Sequence, residues 1–312
     1  MKILLIGKTG SVTHWLEDAA VGFRAEGHVV AVGAVRRSWL AVGVEDALIE
    51  PLAEAMARRA VRFAPDLVLA IGGFHVPLPF LRRLAGLPGR PPLAGWVGDV
   101  FDETRVEAAS LYDLVAYTDS GLLARHQSLA FRSRAIFLPH AAARGRTSPN
   151  AGERAPRMVM VANATAGRIA AVSALAAPMA IHGPGWPRAA LGRHEVHPGR
   201  VAHAKLAGLY ARHMAVLNIR NEHNVLAGLN QRSFDPCLSG TAVVSDAQAD
   251  LELCFAPGSE VLVWRDVDDL NAVYDRLRRC PEDAVRIGEA GRRRVLAEHG
   301  FEHRLATLRD TL

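Results

Sequence analysis

Cysteine is scarce in this 312-residue chain: Cys237, Cys254 and Cys280 form an odd, widely spaced set with no CxxC pair. That argues against a disulfide framework or a zinc site, and it favours a reducing compartment. Lysine is nearly absent too, at positions 2, 8 and 205, so the formal charge of +5 is carried by scattered arginines. Such a balance suits an anionic ligand or an acidic surface without demanding nucleic acid. No basic stripe studded with aromatics and no zinc-finger spacing occurs, so a nucleic-acid partner is not expected. No apolar run reaches membrane-spanning length. The opening MKILLIGKTG has too short an apolar run for a signal peptide and reads as a first strand. A cytoplasmic protein is expected, with association to a membrane surface left open. The thirteen histidines are scattered and no HExxH is present, so no metal is expected. GxGxxG and Walker A are missing as well: the glycines of the first loop stand at 7 and 10, and Lys8 precedes the loop instead of closing it.

What is there is a soluble globular composition, half apolar and 22% charged, on a chain long enough for two domains. Apolar strand-like runs alternate with helical patterns from the start. Lys2 to Ile6, His28 to Val35, Asp66 to Ile71, Leu93 to Val97, Leu114 to Tyr117 and Ala135 to Leu138 read as strands. Between them, Trp15 to Glu26 and Glu45 to Phe63 read as helices. This is a Rossmann-like pattern over residues 1–145. Ligands of doubly wound sheets bind at the carboxyl ends of the strands, which draws His14, His75, Asp99, Asp102, Asp119 and His140 toward one crevice. Residues 143–157, small, polar and basic with two prolines, form the best linker. A second alternation follows over 155–290, with strands expected at 158–162, 179–182, 215–220 and 260–264. A final helical segment, 291–312, is free to pack back on the N-terminal domain.

The most informative stretch is Asn230 to Asp246, NQRSFDPCLSGTAVVSD. It reads as a polar entry, a helix tolerating Pro236 in its first turn, a terminating Gly240, and a buried strand over Thr241 to Val244. Arg232 and Asp235, three residues apart, share a helix face. One cation and one carboxylate beside a parallel strand can cradle phosphates and ribose; an ordinary surface pair is the competing explanation.

Leu206-Ala-Gly-Leu-Tyr210, Ala215-Val-Leu-Asn218-Ile219, Asn230-Gln-Arg232-Ser-Phe234-Asp235 with Gly240, and Phe255-Ala-Pro-Gly258-Ser-Glu260-Val261 follow in order, with His299 and Arg304 in the closing helices. In that order and spacing, over about residues 155–308, the chain resembles the bacterial spore-maturation-type glycosyltransferase-like family of the GT-B superfamily. Trp96 to Asp102 and Leu138-Pro139-His140 resemble it more loosely. The resemblance implies an α/β fold of GT-B type, two Rossmann-like domains facing across a cleft. The C-terminal domain would hold a nucleotide-sugar donor and the N-terminal domain the acceptor, with no catalytic metal. It also implies that Asp235 stands where related families place a ribose-binding Glu. A second acid eight residues earlier is replaced by Ala227.

Arg232 is the first choice for the diphosphate, because a guanidinium takes two phosphate oxygens at once. Arg220, at a strand end, is second, and Lys205 could reach the same group, with Arg168 a more remote choice. Trp186, in the Gly183 to Trp186 loop, could line a base pocket or simply pack in the core. His14, Asp99 and His140 are rival acid–base residues on the N-terminal edge. Asp266-Val-Asp268 reads as a helix cap rather than a metal-binding DxD, with Asp268 or Asp269 at the cap itself. The function expected is metal-independent glycosyl transfer from a nucleotide-diphosphate sugar, a co-substrate and not a cofactor, to a glycan, protein or small-molecule acceptor. A nucleotide-sugar epimerase and a non-catalytic nucleotide- or glycan-binding member are the alternatives.

Overall fold

The computed structural model describes residues 1–8, 14–36, 42–146 and 152–312. Gly10 and most of the first loop, and the centre of the expected linker, lie outside the described residues. The chain divides into two compact units. The first comprises 1–145, 222–228 and 301–312, and the second 146–221 and 229–300. The C-terminal residues 291–312 are therefore shared: the helix Pro281–Glu298 stays with the second unit, and the helix Phe301–Thr311 joins the first.

Six parallel strands make the sheet of the first unit: β1 (Lys2–Lys8), β2 (Val29–Arg36), β3 (Leu67–Ile71), β4 (Leu93–Val97), β5 (Leu114–Tyr117) and β6 (Arg134–Phe137). Their order is β2-β1-β3-β4-β5-β6, so the direction of winding reverses between β1 and β3. Ile3 to Ile6 are fully buried, as a central strand covered on both faces must be. The helices Trp15–Ala25 and Phe301–Thr311 cover one face over Ile3, Leu5, Trp96 and Phe301. Helices Val42–Phe63 and Leu78–Ala85 cover the other. The last helix is fastened by Arg304, whose guanidinium donates to the Pro139 and His140 carbonyls at 2.7 and 2.9 Å.

The second unit repeats the plan with β7 (Ala155–Val161), β8 (Ala180–His182), β9 (Glu195–His197), β10 (His213–Asn218), β11 (Ala242–Asp246) and β12 (Leu262–Trp264). All pairings are again parallel, in the order β12-β11-β10-β7-β8-β9. Here the reversal falls between β7 and β10. The strand β9, three residues with an exposed–half-buried–exposed pattern, has no apolar run and escapes a periodicity reading.

On this sheet His182 and His197 stand opposite one another in register, their rings stacked 4.3 Å apart. His197 is bonded to Glu195 at 2.7 Å, and Arg157 pairs with the same carboxylate. Burial first, then the neighbouring His197 and His213, press the His182 pKa down to about 4. A histidine held neutral in the folded state stabilises it fully above the unfolded pKa near 6.5, and that stability is lost as pH falls toward 4. Between pH 7 and pH 5 the loss comes to roughly 1–2 kcal/mol. Urea melts at the two pH values should show it, and His182→Asn should flatten the dependence; an unchanged slope in the variant would refute the assignment.

Candidate active site

At the carboxyl edge of the second sheet, Asn218 closes β10 with only 1% of its surface exposed. Its amide donates to Ser233 Oγ at 2.9 Å, and its Oδ1 accepts from Asn230 Nδ2 at 3.1 Å and Arg232 Nε at 3.4 Å. One buried amide thus positions the whole 230–233 turn. The helix expected across Asn230 to Gly240 breaks into a 3-10 turn, Gln231–Ser233, and a single helical turn, Asp235–Leu238. The Asn230 side chain accepts from the Arg232 N–H at 2.9 Å, which satisfies the first free donor locally. Phe234, fully buried, forms the joint between the two turns, and Gly240 leaves with φ +63°.

Arg232 is half-buried and makes no ion pair among the described residues, and neither of its terminal nitrogens is hydrogen-bonded there. Burial lowers its pKa, opposed by the smaller pull of Tyr210, Asp235 and Asp246. A guanidinium remains charged even so. The site therefore carries a partly desolvated cation whose outer donors are available. Asp235, beside it, accepts from Gln231 Nε2 at 2.9 Å and is also half-buried.

Arg220 follows β10 and pairs with Asp246, the last residue of β11, at 3.4 Å, while its backbone N–H reaches the same carboxylate at 3.1 Å. Burial raises the Asp246 pKa, against the bonds from Arg220 and Gln248. Asn218, Asp246 and Gln248 were not among the residues expected from the sequence. Asn218 and Asp246 carry one signal: a polar residue at the carboxyl end of a buried apolar run.

The other expected donor-side residues are placed differently. Lys205 lies exposed on the helix His203–Ala211. Trp186 is 7% exposed and donates its indole N–H to the Ala162 carbonyl at 2.8 Å, which ties it into the core. Arg168 is 3% exposed and bridges the sheet where its winding reverses. It donates twice to the Ile219 carbonyl beyond β10, at 3.1 and 2.8 Å, and once to the Asn163 carbonyl beyond β7, at 3.0 Å. The Asp266-Val-Asp268 triplet does cap a helix, but through Asp266, which accepts from Asp269 N at 2.8 Å at the start of the helix Val267–Arg279, so neither Asp268 nor Asp269 holds that position.

In the first unit, the loops after β3, β4 and β5 come together. Gly72 (φ +70°) turns the chain after β3, and Gly73 lies so close to β4 that a Cβ would meet Val97 at 2.9 Å. The resulting 3-10 turn, Gly73–His75, projects His75, whose Nε2 is 2.9 Å from Asp99 Oδ2. Asp99 Oδ1 in turn accepts from Asn224 Nδ2 at 2.8 Å. Asn224 belongs to the strap 222–228, which Asp119 secures by accepting the Leu226 and Ala227 N–H groups. Asp119 also caps the helix Ser120–Ser128, and Asp102 caps its own 3-10 turn through Thr104. His14 precedes the helix Trp15–Ala25 in a left-handed conformation, φ 50°. His140 is 8% exposed, its ring 4.5 Å from that of Trp15. Of the three expected acid–base residues, Asp99 is tied to another titratable side chain, and that partner, His75, had been placed on the edge but not chosen.

Residues 166–310 match the family described as glycosyl transferase-like. Among solved structures, the chain resembles sucrose-phosphate synthase from Thermosynechococcus elongatus, with a TM-score of 0.71 at 14% identity, covering 100% of this chain and 98% of that one. Anabaena HepE in complex with UDP gives 0.69 at 14% identity, over 100% and 99% of the two chains. A glycosyltransferase from Rickettsia africae gives 0.68 at 10% identity, over 99% and 97%. No curated protein sequence matches the chain. The sequence match and the fold agree on one class. The fold is of GT-B type, and residues 166–310 are glycosyl transferase-like in sequence.

Within that class the carboxyl edges of both sheets are the places to look for chemistry. The second unit offers a cationic edge built on Asn218, and the first unit offers an imidazole–carboxylate–amide row. Among the described residues no group of three potential metal ligands occurs, and no helix is long and apolar enough to cross a membrane.

Proposed function

We propose that the enzyme transfers a sugar from a nucleotide-diphosphate donor held by the second unit to a hydroxyl-bearing acceptor held by the first. The observation that carries this reading is Arg232: a half-buried guanidinium, oriented by Asn218, with no carboxylate paired to it among the described residues. A diphosphate would supply the missing anion through charge-assisted bonds, which are roughly twice as strong as neutral ones. Arg220 adds a second cation on the neighbouring loop, half neutralised by Asp246. Stabilising the charge that develops on the leaving diphosphate is the main chemical task of such a site, and fixed cations serve it without a metal. HepE bound to UDP and to UDP-glucose supports a uridine nucleotide as the first donor to try. Asp235 is the proposed ribose contact, and the spore-maturation subclass remains part of the same proposal.

A non-catalytic member is the second reading, favoured by one observation. Position 227 is an alanine whose backbone N–H is committed to Asp119, so it supplies no acid.

The test is thermal stability of the whole chain with UDP, GDP, ADP, dTDP and UDP-glucose, with and without EDTA. Ligand at a hundredfold excess over Kd adds about 2.7 kcal/mol to a native state that alone binds it. A stabilisation insensitive to EDTA is expected, with Arg232→Ala weakening UDP by about tenfold or more, the size of a lost charge-assisted bond. No stabilisation by any nucleotide would overturn the donor site. Binding with neither transfer nor hydrolysis would favour the second reading.

A further inference from the structure

We infer that His75, held by Asp99 and Asn224, is the hydroxyl-binding point of the acceptor subsite, and that Nδ1 of its ring accepts the hydrogen bond of the acceptor's hydroxyl. The inference rests on the glycosyltransferase reading, but its three residues all lie in the first unit.

The geometry has three parts. His75 Nε2 faces Asp99 Oδ2 at 2.9 Å, and an ionised carboxylate can only accept. In the neutral ring the proton therefore sits on Nε2, which leaves Nδ1 its lone pair. Asn224 donates to the second carboxylate oxygen at 2.8 Å, so both oxygens of Asp99 are engaged and its plane cannot turn. The row imidazole–carboxylate–amide thus presents one hydrogen-bond acceptor of defined tautomer and direction, the arrangement that a second carboxylate-side partner provides wherever a histidine must act in one orientation.

Placement supports the same use. His75 follows β3, one of the two strands between which the winding of the first sheet reverses, the position where open α/β sheets bind ligands. The imidazole is 57% exposed and the carboxylate 42%, so the pair adds little to stability. The backbone around it is nevertheless closely specified, by the Gly72–Gly73 turn and by the Tyr112 hydroxyl, which donates to the Gly73 carbonyl at 2.8 Å. Asp99 and Asn224 are positioning residues here; neither need touch the acceptor. A pair serving only to latch the strap would require Asp99 and Asn224 but not the imidazole.

The test uses the whole chain and 15N spectra of its histidine rings. His75 is expected as the Nε2–H tautomer in its neutral form, and Asp99→Asn should mix the two tautomers. Titration with D-glucose, D-galactose, D-mannose and N-acetylglucosamine should move the Nδ1 resonance saturably with at least one of them. His75→Ala should lower kcat/KM for that sugar, with UDP-glucose as donor, by about tenfold or more while leaving the Kd for UDP and the exchange protection of Leu226 and Ala227 unchanged. Unaltered tautomers in Asp99→Asn, no response to any of the sugars, or transfer at the wild-type rate in His75→Ala would each overturn the assignment. UDP binding, measured in parallel, tests the donor reading separately, because none of these residues contributes to it.

Discussion

Arg168→Ala is expected to destabilise the second unit by about 3–5 kcal/mol, the scale of a buried polar network broken from one side. The guanidinium is 3% exposed, and three of its bonds end on two backbone carbonyls, those of Ile219 and Asn163. With alanine in its place both carbonyls lose a charged donor, at a cost of about 1–3 kcal/mol each for a buried group left unsatisfied. The cavity left by the side chain adds to this. The consequence should spread along the edge, because Ile219 lies between Asn218 and Arg220. Urea titration followed by exchange mass spectrometry, peptide by peptide, separates the two units and checks the value; a single global midpoint would mix their transitions. Arg168→Lys should rescue little, since an ammonium cannot reproduce a planar fork aimed at two carbonyls. If Arg168→Ala instead weakened UDP while stability held, the residue would be a phosphate ligand after all.

Asp119→Ala should be the most damaging single change at the edge of the first sheet, at about 3 kcal/mol. The carboxylate, 2% exposed, accepts four backbone N–H groups. Those of Gly121 and Leu122 belong to its own helix, where losing a cap costs about 0.5–2 kcal/mol. Those of Leu226 and Ala227 belong to the strap, which reaches closely enough that a Cβ on Gly228 would lie 2.7 Å from the Asp119 backbone. Exchange protection at Leu226 and Ala227 should fall to that of an exposed loop. Asp119→Asn, keeping one acceptor oxygen, should give an intermediate loss. Full protection in Asp119→Ala would show that other contacts secure the strap.

Much of the architecture was legible because buried parallel strands write themselves as apolar runs: ILLI, LVLAI and AVVSD need no partner to be recognised. The short edge strand β9 has no such run, and its pairing comes from tertiary contact alone. The 230–240 stretch misled through a local competition, the Asn230 side chain satisfying a donor that a longer helix would have satisfied itself. Site residues were harder, because sequence places a residue on an edge without saying where its side chain goes. Arg168 and Arg232 look alike as letters; one guanidinium is used on carbonyls, and the other lacks an anion. His299, part of the pattern that resembled a family, bonds the Cys254 carbonyl at 2.8 Å and packs against Phe234 and Phe255, so part of that pattern is shared packing rather than shared chemistry. The strap was beyond any local reading: nothing in residues 222–228 announces that they belong with residues 1–145.

The discontinuous first unit has a consequence for synthesis. Its sheet is encoded within the first 145 residues, yet one apolar face of that sheet is completed by Phe301, Leu305 and Leu308. While a ribosome makes the intervening residues, the part of that face beneath the last helix has only the helix Trp15–Ala25 beside it and no cover of its own. Trp96, Phe23 and their neighbours would then be surface for a chaperone to bind, since chains fold as units during synthesis at about 5–20 residues per second. A fragment ending at residue 145 should for the same reason be prone to aggregate, whatever the stability of the finished protein.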